Sequence, residues 1–103
     1  MKNKFKLKIF PLAQRDIEEI FDYIAIKLCN PTAAIRLIND FEEAFEIVCL
    51  FPESCPCVNN EYIKDNTLRK LIVDSYIAFY RIMNNEIQVI RVLYGMRDYE
   101  AIL

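Results

Sequence analysis

Histidine is absent from this chain of 103 residues, and glycine occurs once, at Gly95. Without histidine, no side chain has an ordinary pKa near neutrality, so acid-base work at pH 7 would fall to tyrosine, lysine, glutamate or arginine under strong tuning by their surroundings. The same absence leaves Cys29, Cys49, Cys55 and Cys57 without an imidazole to complete a zinc site, and Cys55-Pro56-Cys57 lacks the two-residue spacing of a zinc knuckle. No metal and no cofactor is expected. Scarce glycine also argues against a loop-rich disulfide scaffold, so the cysteines read as free thiols. No apolar run approaches the roughly 20 residues of a membrane span. Met1 to Lys8 alternates lysine with apolar residues instead of building the continuous core of a signal peptide. A cytoplasmic protein with no membrane partner is expected.

What the chain does have is a 54% hydrophobic composition, enough for one folded domain over residues 1–103 with a single core. Its net charge of −2 conceals a segregation. From Gln14 to Glu46 three basic residues oppose eight acidic ones, whereas from Lys64 to Arg97 six basic residues oppose three acidic ones. The basic C-terminal third therefore suits an anionic partner, while the overall acidity disfavours unspecific nucleic-acid binding.

Phe5, Leu7 and Ile9 alternate with Lys4, Lys6 and Lys8, the period of a half-buried strand whose lysines guard an edge. Pro11 suits the first turn of a helix. Ile17, Ile20, Phe21, Ile24 and Leu28 follow one helical face, with Asp16, Glu18, Glu19 and Asp22 read as lying near the helix start, where carboxylates favour the dipole. Asn30-Pro31 interrupts the pattern. A second helix runs through Ala34, Leu37, Phe41, Ala44, Phe45 and Val48 until Phe51-Pro52, and the short break implies an antiparallel helix hairpin. Glu53 to Asn66 reads as a loop with room for a short extended piece.

Three strands follow, Leu68 to Val73, Tyr76 to Met83 and Glu86 to Tyr94, joined at Asp74-Ser75 and Asn84-Asn85 by two-residue turns. With both turns that short, Arg69 pairs with Tyr80 and Tyr80 with Val89; Leu71 meets Ala78 and Ala78 meets Arg91; Val73 meets Tyr76 and Tyr76 meets Leu93. One face then displays Arg69, Tyr76, Tyr80 and Arg91 as a basic-aromatic surface. The other groups Ile72, Ile77, Val92, Phe79 and Ile90, and is expected beneath the helices. The lone glycine reads as a positive-φ bend that ends the last strand and re-aims Arg97 and Asp98.

This order of elements, together with Ala13-Gln14-Arg15-Asp16-Ile17-Glu18-Glu19-Ile20, Leu68-Arg69-Lys70-Leu71, Tyr76 to Ile82, and Leu93-Tyr94-Gly95-Met96-Arg97-Asp98, resembles the RelE/ParE superfamily of type II toxin-antitoxin toxins. The resemblance spans nearly the whole chain. It implies an α+β fold, β-α-α-β-β-β, with a helix hairpin packed on a small antiparallel sheet. It also implies a plasmid-stabilising, growth-arresting toxin bound by a cognate antitoxin, as a homodimer or a toxin-antitoxin hetero-oligomer. ParE-like members block DNA gyrase, and RelE-like members cut mRNA on the ribosome. Tyr94 stands where ParE-like blocks usually carry histidine, and the strand arginine of RelE-like enzymes falls near Ile72 instead of Arg69. The ParE-like expectation makes Arg69, Tyr76, Tyr80, Arg91, Tyr94 and Arg97 target-binding residues. In the RelE-like alternative Arg69 and Arg97 stabilise charge and Tyr94 transfers a proton. A third reading is a non-toxic relative kept as an antitoxin-binding partner.

Overall fold

The computed structural model describes residues 4–58 and 67–95. Strand β1 (Lys6–Ile9) leads into helix α1 (Pro11–Asp22), a π-helical turn (Tyr23–Lys27) and helix α2 (Pro31–Leu50). Strands β2 (Arg69–Val73), β3 (Tyr76–Met83) and β4 (Glu86–Tyr94) complete the fold. The sheet order is β1-β4-β3-β2; β2, β3 and β4 form the expected antiparallel meander, and β1 joins as a parallel edge strand, which makes the sheet mixed.

Local chemistry explains the element boundaries. Pro11 occupies the first turn of α1, where its missing N–H costs nothing. At the helix break, Cys29 adopts φ 50°, and the Asn30 side chain then caps α2 by accepting from the Ala33 N–H at 3.1 Å. Ala34, Leu37, Phe41, Phe45 and Val48 are the buried stripe of α2, as their spacing predicts. The Asn84-Asn85 turn has φ 54° and 62°, the pair of positive angles that a tight hairpin matching the strand twist requires. Asp74, at φ 53°, opens the other two-residue turn.

Four expectations need correction. The acidic residues of α1 do not cap its dipole, because the helix begins at Pro11 and leaves no acid in the first turn. Gly95 has no positive φ; its N–H donates to the Ser75 carbonyl at 2.8 Å and prolongs the β3–β4 ladder. The register follows the prediction from Arg69–Tyr80 to Tyr80–Val89 but then slips by one residue, so that Ala78 faces Val92 and Tyr76 faces Tyr94. A bulge that leaves Ile90 unpaired between Val89 and Arg91 causes the slip.

The largest correction concerns the faces of the sheet. Leu71, Val73, Tyr76, Ala78, Tyr80, Ile82, Ile87, Val89 and Val92 pack with the helices, so the tyrosine-bearing face is inside. Ile77, Phe79, Ile90 and Leu93 lie in a second cluster with Val58 and Leu68. Both faces were apolar enough to be buried, and the chain supplies a separate cover for the second. Val58 donates to the Leu68 carbonyl and Lys70 to that of Pro56, the short extended piece foreseen in the loop.

Candidate functional site

The carboxyl end of β4, the turn after β2 and the C-terminal part of the α1 segment enclose a cleft of about 750 Å³. Its walls combine Tyr23, Tyr76 and Tyr94 with Ile20, Ile24 and Leu28, and Asp16 and Glu19 stand on the α1 side. Helical periodicity supplies one wall. The π-helical turn, in which Leu28 donates to the Tyr23 carbonyl at 3.0 Å, widens the helix just before the hairpin. Tyr23 and Leu28 line the cleft and remain exposed, and Ile26 between them, outside the cleft lining, is 71% exposed.

The opposite wall comes from the sheet. Register brings Tyr76 and Tyr94 directly opposite one another, and their rings meet edge-to-face at 5.7 Å and 70°. Tyr76 also leans on Phe41 of α2, with centroids 6.2 Å apart, so it is anchored, whereas Tyr94 remains 44% exposed. Burial first, then the neighbouring phenols of Tyr94 and Tyr23, push the Tyr76 hydroxyl above its ordinary range and keep it protonated.

On the α1 side of the cleft, Asp16 joins α1 to β4. Its carboxylate accepts from Nε and Nη2 of Arg91 at 2.8 and 3.0 Å and from the Val92 N–H at 2.9 Å. The bidentate hydrogen bond to Asp16 is the main reason the Arg91 guanidinium holds its proton even more firmly than usual. β1 ends before it can pair with Val92, so α1 supplies the acceptor that this amide needs.

The expected site residues thus separate. Tyr76 and Tyr94 line the cleft, and Arg91 lies behind it, bound to Asp16. Arg69 and Tyr80 act elsewhere: Arg69 Nη1 donates to the Cys55 carbonyl at 2.6 Å, and the Tyr80 hydroxyl to that of Pro52 at 2.8 Å. Together they secure the segment leaving α2. Tyr80 is only 1% exposed, which removes it from any surface. Arg97 and Asp98, like Lys64, lie outside the described residues. Asp16, Tyr23 and Glu19 were missed as cleft residues. Asp16 did carry a signal, since it lies on the same stripe as Ala13, Ile17 and Ile20, where a charged residue needs a partner.

All four cysteines are free thiols, and no group of metal ligands occurs among the described residues. Nor is any described helix long and apolar enough to cross a membrane.

Residues 7–99 match the family profile described as the ParE toxin of the type II toxin-antitoxin system, parDE. The chain belongs to the ParE toxin family. Solved structures agree on the fold. A chain of the chromosomal ParDE system from P. aeruginosa superposes with a TM-score of 0.72 at 22% identity, covering 88% of this ParE-family chain and 96% of its own length. A chain of the RelBE2 toxin-antitoxin complex from Mycobacterium tuberculosis gives 0.62 at 16% identity, with coverages of 89% and 99%. Among curated proteins, none matches the sequence significantly.

Proposed function

We propose that this ParE-family chain inhibits growth by binding a protein target, DNA gyrase on the family reading, and that a cognate antitoxin neutralises it in a hetero-oligomer. The character of the cleft carries the reading. Phenol rings and aliphatic side chains make up most of its walls, with Asp16 and Glu19 along the α1 side, the mixture of aromatic anchors and polar margin found in protein-binding sites. Cleavage of RNA needs a proton acceptor, a proton donor and free positive charge at one place. Here Asp16 and Arg91 are engaged with each other, and the Tyr76 phenol is held protonated.

Tyr94 and Tyr23 are the recognition residues in this reading, with Tyr76 supporting Tyr94. Arg97 remains a proposed target contact, because it follows β4 two residues after Gly95. Arg69 and Arg91 contribute indirectly by fixing the Cys55 segment and α1.

Induced expression tests the proposal. Filamentation with a DNA-damage response, suppressed by co-expression of the protein from the adjacent reading frame, is the expected result. Rapid loss of translation with mRNA cut inside codons would overturn it in favour of the RelE-like endonuclease. An unaffected culture, with wild type and Arg97→Ala alike, would indicate the non-toxic relative.

A further inference from the structure

The geometry points to a reversible oxidation site at Cys55 and Cys57, a dithiol that a peroxide converts into an intramolecular disulfide. The site is separate from the cleft and independent of what the chain binds.

The backbone sets the pair. Val58 donates its amide to the Leu68 carbonyl and Lys70 to that of Pro56, and these two bonds frame Cys57 and Arg69 as directly opposed residues. In such a pair, which exchanges no hydrogen bonds of its own, the Cα atoms approach to about 4.5 Å and the side chains share one face. Arg69 lies opposite Tyr80, which packs with the helices, so Cys57 stands on that same side. Cys55, two residues earlier, packs against the same core cluster. Two residues of chain span at most about 7 Å, and Pro56, its φ fixed by the ring, holds them short of full extension, inside the roughly 4.4–6.8 Å between Cα atoms that a disulfide bridges.

Charge and exposure distinguish this pair from the other thiols. The stem of Arg69 starts opposite Cys57, and its Nη1 donates to the Cys55 carbonyl at 2.6 Å. Among the described residues, no carboxylate forms a salt bridge with it. Cys57 is exposed and Cys55 half-buried, its thiol against the Tyr80 hydroxyl. Oxidisable cysteines occupy such electropositive, accessible surroundings beside a second thiol that resolves them. Cys29 is exposed too, but its thiol donates to the Ile26 carbonyl at 3.4 Å. Cys49 is 2% exposed, and burial foremost pushes its thiol above the ordinary range.

The exposed thiol reacts first. The Cys57 thiolate attacks one oxygen of hydrogen peroxide; the O–O bond breaks, a sulfenic acid forms, and the departing hydroxide becomes water with the proton that Cys57 gave up. The Cys55 sulfur then attacks that of Cys57. The S–S bond forms as the S–O bond breaks, and the hydroxyl leaves as a second water with the Cys55 proton. Two thiols are oxidised to one disulfide, and the peroxide is reduced to water. A thiol reductant reverses the change by exchange.

The test treats the full chain with hydrogen peroxide, alkylates the remaining thiols and cleaves after glutamate. Cleavage after Glu53 separates Cys49 from the pair, and the fragment from Ser54 to Glu61 carries Cys55 and Cys57 alone. This fragment should escape alkylation, weigh two hydrogens less, and become alkylated at both cysteines after dithiothreitol. Cys55→Ser should leave a sulfenic acid on Cys57 that dimedone captures, whereas Cys57→Ser should form no disulfide. The folded chain should close the ring severalfold faster than the chain unfolded in urea, where Arg69 no longer stands beside the pair. Linkage of Cys55 to Cys49, dimedone capture on Cys55 in place of Cys57, equal rates in the folded and unfolded chain, or a fragment still alkylated at both cysteines once Cys29 is oxidised would each overturn the inference.

Discussion

Asp16 receives two hydrogen bonds from Arg91 across 75 positions of sequence, and the same carboxylate satisfies the amide of Val92. One side chain thus fixes α1 against the exposed flank of β4 and sets one wall of the cleft. Both partners are largely shielded, with side-chain exposures of 21% for Arg91 and 11% for Asp16, so removing one leaves the other uncompensated. Asp16→Ala should destabilise the fold by about 2–3 kcal/mol in urea unfolding. A double-mutant cycle with Arg91→Met should return a coupling of about 1–3 kcal/mol; additive losses would show that the pair is incidental.

Tyr80 gives a pH-dependent prediction. Burial foremost, then its hydrogen bond with Cys55, pushes the phenol well above its ordinary range. A pKa raised in the folded state favours folding while the group is protonated, so this contribution is intact below about pH 10, the unfolded value. It is lost as pH climbs further. Tyr80→Phe should cost about 1 kcal/mol at pH 7 by freeing the Pro52 carbonyl, yet flatten the loss of stability between about pH 10 and 11. Chemical denaturation across that range measures both effects, and an unchanged alkaline slope would contradict the assignment.

Gly95 yields a different prediction from the one its uniqueness invites. A β-carbon there would lie 3.2 Å from the Ser75 carbonyl oxygen and 3.5 Å from the Ile77 side chain. The contact is tight, but the backbone angle is ordinary for an L-residue, and alanine restricts the unfolded chain more than glycine does. Gly95→Ala should therefore change stability by less than about 1 kcal/mol, because the two effects oppose one another. Gly95→Val, which adds bulk toward Ile77, should cost more than Gly95→Ala in thermal unfolding.

These residues show why some features were legible in the sequence and others were not. The α2 stripe from Ala34 to Val48 and the Asn84-Asn85 turn were readable because periodicity and turn chemistry are local. The sheet's inner face was not, since Tyr76 and Tyr80 on one side and Ile77 and Phe79 on the other are all suited to burial. Hydroxyl groups make tyrosine look like a surface residue, but Tyr80 reaches a backbone carbonyl while its ring stays inside. The bulge at Ile90 has no glycine or proline to announce it. Asp16 was legible only as a polar interruption of an apolar stripe, and its partner lies on the last strand.

Recognition through the cleft predicts a separation between binding and folding. Tyr23 and Tyr94 are 52% and 44% exposed, so shortening either removes contact area for a partner without opening the core. Tyr94→Ala and Tyr23→Ala should each leave unfolding stability within about 1 kcal/mol of wild type. Each should weaken binding of the neighbouring-frame antitoxin, or of the gyrase target, by about 10- to 30-fold, the loss expected of an interfacial aromatic anchor. Tyr76→Ala is the control for the opposite case, because its ring supports Phe41 and Tyr94, and it should destabilise the fold by several kcal/mol, roughly 3, as core truncations do. Calorimetric titration and urea unfolding on the same preparations separate the two classes. If Tyr23→Ala and Tyr94→Ala bind both partners as tightly as wild type, recognition lies elsewhere on the molecule.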